Sequence, residues 1–362
     1  MRRVLCACVA LLAFGHVSHG EDTIKPEKVS VPQNAILVSW DGLDRTVLQE
    51  LLFKGKLPNL AAIIDEGSLQ SIEVQGHVTL TKPSHAEMLT GLGTKDTGVI
   101  SNNVYQPIPE GYTIFERLQK HFGGKENIHT FMVTGKLAHV GGRTPEEIAA
   151  AEKKENKKTR KPLPEGADNV PDSDKPQVEK GEPFMLTRKA LEVFDAAQRD
   201  ADEVAKLSLR YLEQYKSPRF MAFVHFSDPD HAGHKHRSDS DEYRDAAVDC
   251  DKALGKIVRW LKKQELCDKT LLYVTTDHGF DPAAKTHNNA PHSWLATNDK
   301  MVMHGGTIAD VPATILVRFG VDISKLEPKL IGVPLTTAVA DGQKPQPPAP
   351  ADGKPKRGRK KK

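Results

Sequence analysis

The chain has 362 residues, long enough for one large or two ordinary domains, and its 38% hydrophobic and 6% aromatic content is low because two segments carry almost no core-forming side chains. Lys and Arg number 51 against 48 Asp and Glu, a formal net charge of +3, so specific binding to nucleic acid is not expected. The surplus is local, in "KPKRGRKKK" from Lys354 to Lys362.

In chain order, residues 1–20, "MRRVLCACVALLAFGHVSHG", combine Arg2-Arg3, an apolar stretch from Val4 to Val17 and small residues Ser18 and Gly20. The stretch is too short to span a bilayer and reads as a secretory signal. The expected location is therefore extracytoplasmic, periplasmic or secreted, with no transmembrane anchor after cleavage. Residues 21–33 read as a linker. Cys6 and Cys8 would leave with the signal, while Cys250 in mid-helix and Cys267 beyond that helix's end lie too far apart to bridge, at about 1.5 Å rise per residue.

Asn34 to Trp40, "NAILVSW", is a continuous apolar run ending in Asp41-Gly42 and predicts a buried strand. Phe220 to Phe226 before "SDPD", and Thr270 to Thr276 before Asp277-His278-Gly279, repeat the design, and "NIHTFMVT" ending at Gly135-Lys136 is a weaker fourth case. Helical periodicity covers Thr46–Phe53, Leu60–Glu66, Tyr112–Phe122, Leu186–Tyr215 and Ser240–Lys263, the last with a stripe of Tyr243, Ala247, Leu254, Ile257, Val258 and Leu261. A shorter helix is expected from Ser84 to Leu92, with Pro83 in its first turn and Thr81 just before it. The alternation predicts an α/β fold, a mainly parallel doubly wound sheet with helices on both faces. One domain is expected over 34–337. Within it residues 141–183 are polar, charged and proline-dotted, an inserted cap with a short helix near Pro145 to Lys154. Residues 338–362 form a Pro-rich and basic tail.

Ligands of such sheets bind beyond the carboxyl ends of the strands, where Asp41, Asp230 and Asp277 fall with His278 and His234 beside them. Each has an ordinary structural use as a cap, a turn residue or a core histidine. Together the three carboxylates would repel one another and raise their own pKa values. One or two divalent cations relieve that cost, and carboxylate and imidazole donors without thiols favour zinc over manganese or iron. Thr81 at a helix mouth would gain nucleophilicity from such a cation.

"ILVSWDGLDR", "TLTKPSHAEMLTGLGTKDTGVISNN", "SDPDHAGH" and "VTTDHGF", in that order, resemble the alkaline phosphatase superfamily and, within it, the type I phosphodiesterase and nucleotide pyrophosphatase branch. The resemblance covers most of 34–135 and 184–335. It implies a phosphoester hydrolase with two zinc ions, Asp41, Thr81, Asp277 and His278 around one, and Asp230, His234 and a later histidine around the other. His304, in "MHGGTIADVPATIL", fits the family pattern better than its rivals His287 and His292 in "THNNAPH". It further implies Thr81 as a nucleophile passing through a phosphothreonine, Asn102 as an amide donor to a phosphoryl oxygen, Tyr105 as a stacking surface and Lys136 as an anion contact. Asn103 is an alternative to Asn102, and His225, His231 and His236 are expected to support or be solvated. Lys136 suits a monoester or phosphonate, but some relatives acting on monoesters add an arginine two residues on, where Ala138 stands. Sulfatases share the "C/S-x-P-x-R" signature that "TKPSH" approaches, yet threonine cannot yield formylglycine and His85 replaces the arginine. A non-catalytic surface-binding scaffold is the remaining competitor, and it would be expected to lose ligands.

Overall fold

Strand β1 (Asn34–Trp40) is buried along its whole length, as its unbroken apolar run requires of a central strand covered on both faces. The computed structural model describes residues 32–156 and 180–337. The expected signal, most of the linker, the middle of the insertion and the tail lie outside the described residues.

Element order is β1, α1 (Arg45–Phe53), α2 (Pro58–Glu66), β2 (Ser68–Glu73), α3 (Thr81–Thr90), α4 (Thr94–Thr97), α5 (Ile114–Phe122), β3 (His129–Thr134), α6 (Pro145–Asn156), β4 (Val193–Ala196), α7 (Ala201–Tyr215), β5 (Phe220–Phe226), α8 (Asp228–His236), α9 (Asp241–Lys263), β6 (Thr270–Thr275), β7 (His292–Thr297), β8 (Gly306–Thr307) and α10 (Asp310–Arg318). The eight strands form one sheet in the order β4-β3-β5-β1-β6-β7-β2-β8. Its first five strands are parallel; β7 runs antiparallel to both neighbours, so the sheet is mixed but mainly parallel.

Side chains alternate across β1. Ile36, Val38 and Trp40 join one apolar core with α1, α2, α7 and α9, and Ala35 and Leu37 join a second with α3, α5 and α10. Both faces are therefore covered, as a doubly wound sheet demands.

Two element predictions need correction. The expected helix over Leu186–Tyr215 is broken by β4, and α7 starts only at Ala201, because the Asp200 carboxylate accepts the Glu203 N–H as an N-cap and Val193-Phe194 pair with β3 instead. Helix α3 begins at Thr81 itself, three residues earlier than expected, and ends at Thr90 where Gly91 takes φ +70°. Pro83 fits because the first turn asks nothing of its missing N–H.

Candidate active site

The register of the three central strands assembles the site. Trp40 lies level with Phe226 and Ser39 with Thr275, and the Asp41 N–H donates to the Phe226 carbonyl. The segments leaving β1, β5 and β6 thus emerge side by side, carrying Asp41, Asp230 and Asp277. Between them Gly42 holds φ +73°, and a Cβ there would meet Asp230 Cα and Cβ at 3.1 Å and Phe280 Cε2 at 2.9 Å. Only glycine lets the turn after β1 pass this close to the start of α8.

The first cluster is Asp41, Asp277, His278 and Thr81, all buried. His278 donates from Nδ1 to its neighbour's carbonyl, Gly279 O, at 2.9 Å, which leaves Nε2 with a lone pair aimed inward. That nitrogen lies 3.2 Å from Asp277 Oδ2, 3.8 Å from Asp41 Oδ1 and 3.5 Å from Thr81 Oγ1. The two carboxyls are driven apart. Burial pushes both up, and with Asp41's charge added the Asp277 carboxyl reaches about 8. Lys136, His225 and His278 overcome burial at Asp41 and hold it well below the usual carboxylate range. His85, one turn into α3, receives no mention in the expected ligand set yet braces it. Its ring contacts Thr81 O at 2.9 Å through Nδ1 and Ser39 Oγ at 3.0 Å through Nε2, with Nδ1 also 3.4 Å from Asp277 Oδ2.

The second cluster is Asp230 and His234, one turn apart on α8, with His287 from the loop after β6. His234 Nδ1 donates to Lys285 O at 2.8 Å and His287 Nδ1 to Thr79 O at 2.6 Å. Both Nε2 atoms then face each other at 3.2 Å, beside Asp230 Oδ1 at 3.3 and 3.8 Å. Here the ligand expectation is corrected. His304 is on the far edge of the sheet beside β8, its ring contacting Gly305 O and Thr337 O, while His292 pairs with Glu73. His287 is the histidine brought to Asp230 and His234, because Thr79, two residues before Thr81, grips its loop through both its carbonyl and its hydroxyl. The rings of His278 and His287 stack at 3.8 Å, placing the two clusters side by side.

These donors fit two divalent cations. Asp41 Oδ1, Asp230 Oδ1 and Asp277 Oδ2 are buried without a well-formed hydrogen bond among the described residues. Two imidazole lone pairs at 3.2 Å repel unless a proton or cation lies between them, and Asp230, against the cost of burial, already raises the proton affinity of His234. Each trio offers ligand atoms within 4.8 Å of one another.

Around the clusters, Asn102 Oδ1 accepts the Lys82 N–H at 2.9 Å, which turns the amide nitrogen away from α3, while Asn103 is exposed. Tyr105, 37% exposed, lies over Lys82 Nζ at 4.7 Å. Lys136 reaches inward rather than outward: its Nζ is 2.9 Å from Asp41 Oδ2 and 2.6 Å from Asp230 Oδ2, one carboxylate of each cluster. His225 Nε2 contacts Asp41 Oδ2 at 2.9 Å, His231 contacts Gln198, and His236 lies 3.5 Å from Glu242.

A mainly parallel sheet with paired carboxylate–histidine clusters beyond its carboxyl edge defines an alkaline phosphatase-like protein. Solved structures agree on the fold: the alkaline phosphatase of the Antarctic bacterium TAB5 superposes with a TM-score of 0.52 at 12% identity, over 82% of this chain and all of that one. A phosphonate monoester hydrolase from Silicibacter pomeroyi does so with a TM-score of 0.52 at 16% identity, over 86% and 78%. The model of the type I phosphodiesterase / nucleotide pyrophosphatase family matches residues 35–329, and the chain belongs to that family. Curated relatives include ectonucleotide pyrophosphatase/phosphodiesterase family member 7 of Mus musculus, 25% identical over 77% of this chain and 55% of the relative. A bis(5'-adenosyl)-triphosphatase of Mus musculus is 23% identical over 76% and 51%. The chain spans about half the length of these relatives.

Proposed function

We propose that the protein is a two-zinc phosphoester hydrolase of the phosphodiesterase and nucleotide pyrophosphatase type, with Thr81 as nucleophile, acting outside the cytoplasm on a small-molecule substrate. The observation that carries this reading is the meeting of Thr81 Oγ1, in the first turn of α3, with His278 Nε2 at 3.5 Å, where Asp41 and Asp277 also converge. Asp41, Thr81, Asp277 and His278 would hold one cation, and Asp230, His234 and His287 the other. When bound, such cations supply charge that lowers the pKa of a hydroxyl and stabilises oxygens in a phosphoryl transfer.

The chain's own groups supply the rest. The helix N-terminus at Thr81 favours a negatively charged phosphoryl group, and the Asn102 amide, oriented by the Lys82 N–H, would donate to a non-bridging oxygen. The Thr81 Oγ1–P bond forms as the ester P–O bond breaks, and the threonine proton ends, in net terms, on the departing alcohol. Water then breaks the Oγ1–P bond, returning a proton to Thr81 and leaving the phosphoryl product. His85, bound to the Thr81 carbonyl, holds the nucleophile's turn. Export is supported by residues 1–20, and no described helix is long and apolar enough to cross a membrane. A monoester or phosphonate preference is the alternative, and the ion pairs of Lys136 with Asp41 and Asp230 weigh against it, since they occupy the ammonium that would meet the extra anionic oxygen.

The test is the rate of zinc-loaded protein on p-nitrophenyl phosphate, bis-p-nitrophenyl phosphate and a nucleotide pyrophosphate at matched metal. Cleavage of the latter two, lost in Thr81→Ala with zinc retained, supports the proposal. Protein that keeps two zinc ions yet cleaves none of the three is a binding scaffold instead.

A further inference from the structure

The charged insertion looks like a surface excursion, but both of its feet enter the core. Glu182, at the returning end, is 1% exposed, and its side chain is shared by two cations: Lys82 Nζ at 3.0 Å and, from the outgoing end, Arg143 Nη2 at 2.8 Å. Lys82 is the residue after Thr81 and is itself 1% exposed. Its ammonium also donates to Val104 O at 3.1 Å and lies under the Tyr105 ring, while its backbone N–H holds Asn102 Oδ1. The Asn102–Tyr105 loop is therefore tied to α3 three times through one lysine. Main-chain bonds extend the tie to the insertion: Ile108 N–H donates to Pro183 O at 2.7 Å and Glu182 N–H to Arg143 O at 3.2 Å.

A buried ammonium keeps its place only while a counter-charge shares its burial. Val104 O and the Tyr105 ring are neutral partners, and Arg143 adds like charge. Among the described residues Glu182 is the single carboxylate paired with Lys82. Without it the Lys82 ammonium is a buried charge with no counter-charge and must move outward, which loosens the loop that aims Asn102.

Resting on the phosphoesterase reading above, we infer that Glu182 is a positioning residue: by neutralising Lys82 and Arg143 together it clamps the insertion onto the start of α3 and fixes the Asn102 amide relative to Thr81. The two described ends of the insertion, at Arg143 and Glu182, are then part of the machinery that shapes the phosphoryl site.

The test uses zinc-loaded full-length Glu182→Gln and, because a lone buried ammonium can prevent folding, the double variant Lys82→Met/Glu182→Met, which removes both charges. The inference predicts a kcat on bis-p-nitrophenyl phosphate lower by about tenfold or more with KM within about threefold, since misplaced transition-state donors act on turnover. Glu182→Asp should recover part of the loss. Hydrogen exchange should quicken over 79–90 and 100–106 and not over α9. A folded double variant with wild-type kcat overturns the inference whatever its exchange pattern. Should wild-type protein cleave no phosphoester, the functional reading fails, and the exchange pattern alone then supports or overturns the clamp.

Discussion

Lys136 Nζ lies 2.6 Å from Asp230 Oδ2 and, at 2.9 Å, also reaches Asp41 Oδ2, so one buried ammonium bridges the two carboxylate–histidine clusters. That ammonium holds the Oδ2 atoms of the two carboxylates whose Oδ1 atoms face the histidines, so it and a divalent cation draw on the same carboxylates. Lys136→Met should therefore raise zinc affinity, by about tenfold or more, while lowering the stability of chelator-treated protein by about 3 kcal/mol, the scale for breaking a buried pair. Competition with a chromogenic chelator and urea unfolding read the two effects. Unchanged affinity would mean that Lys136 and the cations do not share these carboxylates.

His287 and His304 separate two versions of the second cluster. His287 Nε2 faces His234 Nε2, whereas His304 bonds to carbonyls beside the sheet edge. His287→Ala should drop bound zinc from about two ions per chain to about one, with turnover down by a factor of about 100 or more. His304→Ala should keep both metal and turnover. Metal content by atomic emission decides between them.

Gly42 is a conformational requirement with a chemical consequence. At φ +73° a Cβ would be strained in any case, and it would press on Asp230 at 3.1 Å. Gly42→Ala should cost about 1 to 3 kcal/mol in unfolding free energy. Because the pressure falls on Asp230, zinc occupancy of the second cluster should fall with it.

His77 links stability to pH. Its Nε2 meets Glu87 Oε2 on α3 at 2.5 Å, both side chains nearly fully buried. Burial pushes the imidazole pKa down, but Glu87 outweighs it and the net shift is upward from 6.5. A raised folded-state value means the contribution is complete below about pH 6.5 and is lost as pH rises through the higher folded value. Wild type minus His77→Gln should thus amount to about 1 to 2 kcal/mol at pH 6 and shrink toward alkaline pH, as measured by urea unfolding. A difference that grows with pH would reverse the assignment.

Five metal-donor candidates were legible in the sequence for local reasons. Asp41, Asp277 and His278 follow apolar runs that read as buried strands, and Asp230 and His234 follow another such run four residues apart, a spacing that α8, not expected from the sequence, places on one helix face. The choice among His304, His287 and His292 was not, because His287 is brought to Asp230 and His234 by a contact with Thr79, 208 residues away, that no local pattern encodes. Composition hid Glu182 in the same way, since its neighbours read as a solvated excursion while its own side chain is buried. Strands β2 and β7 escaped notice because "SLQSIE" is mostly half-exposed and "HSWLAT" is a short run opening on an exposed histidine. Strand β4 was absorbed into a helical reading that only the Asp200 cap contradicts.

The central claim is that Thr81 carries the phosphoryl group. Zinc-loaded protein mixed with excess substrate and quenched in acid within one turnover should yield a single phosphorylated peptide, with the phosphate on Thr81, and none from Thr81→Ala. Phosphate on another residue, or a Thr81→Ala protein that turns over at the wild-type rate, would contradict it.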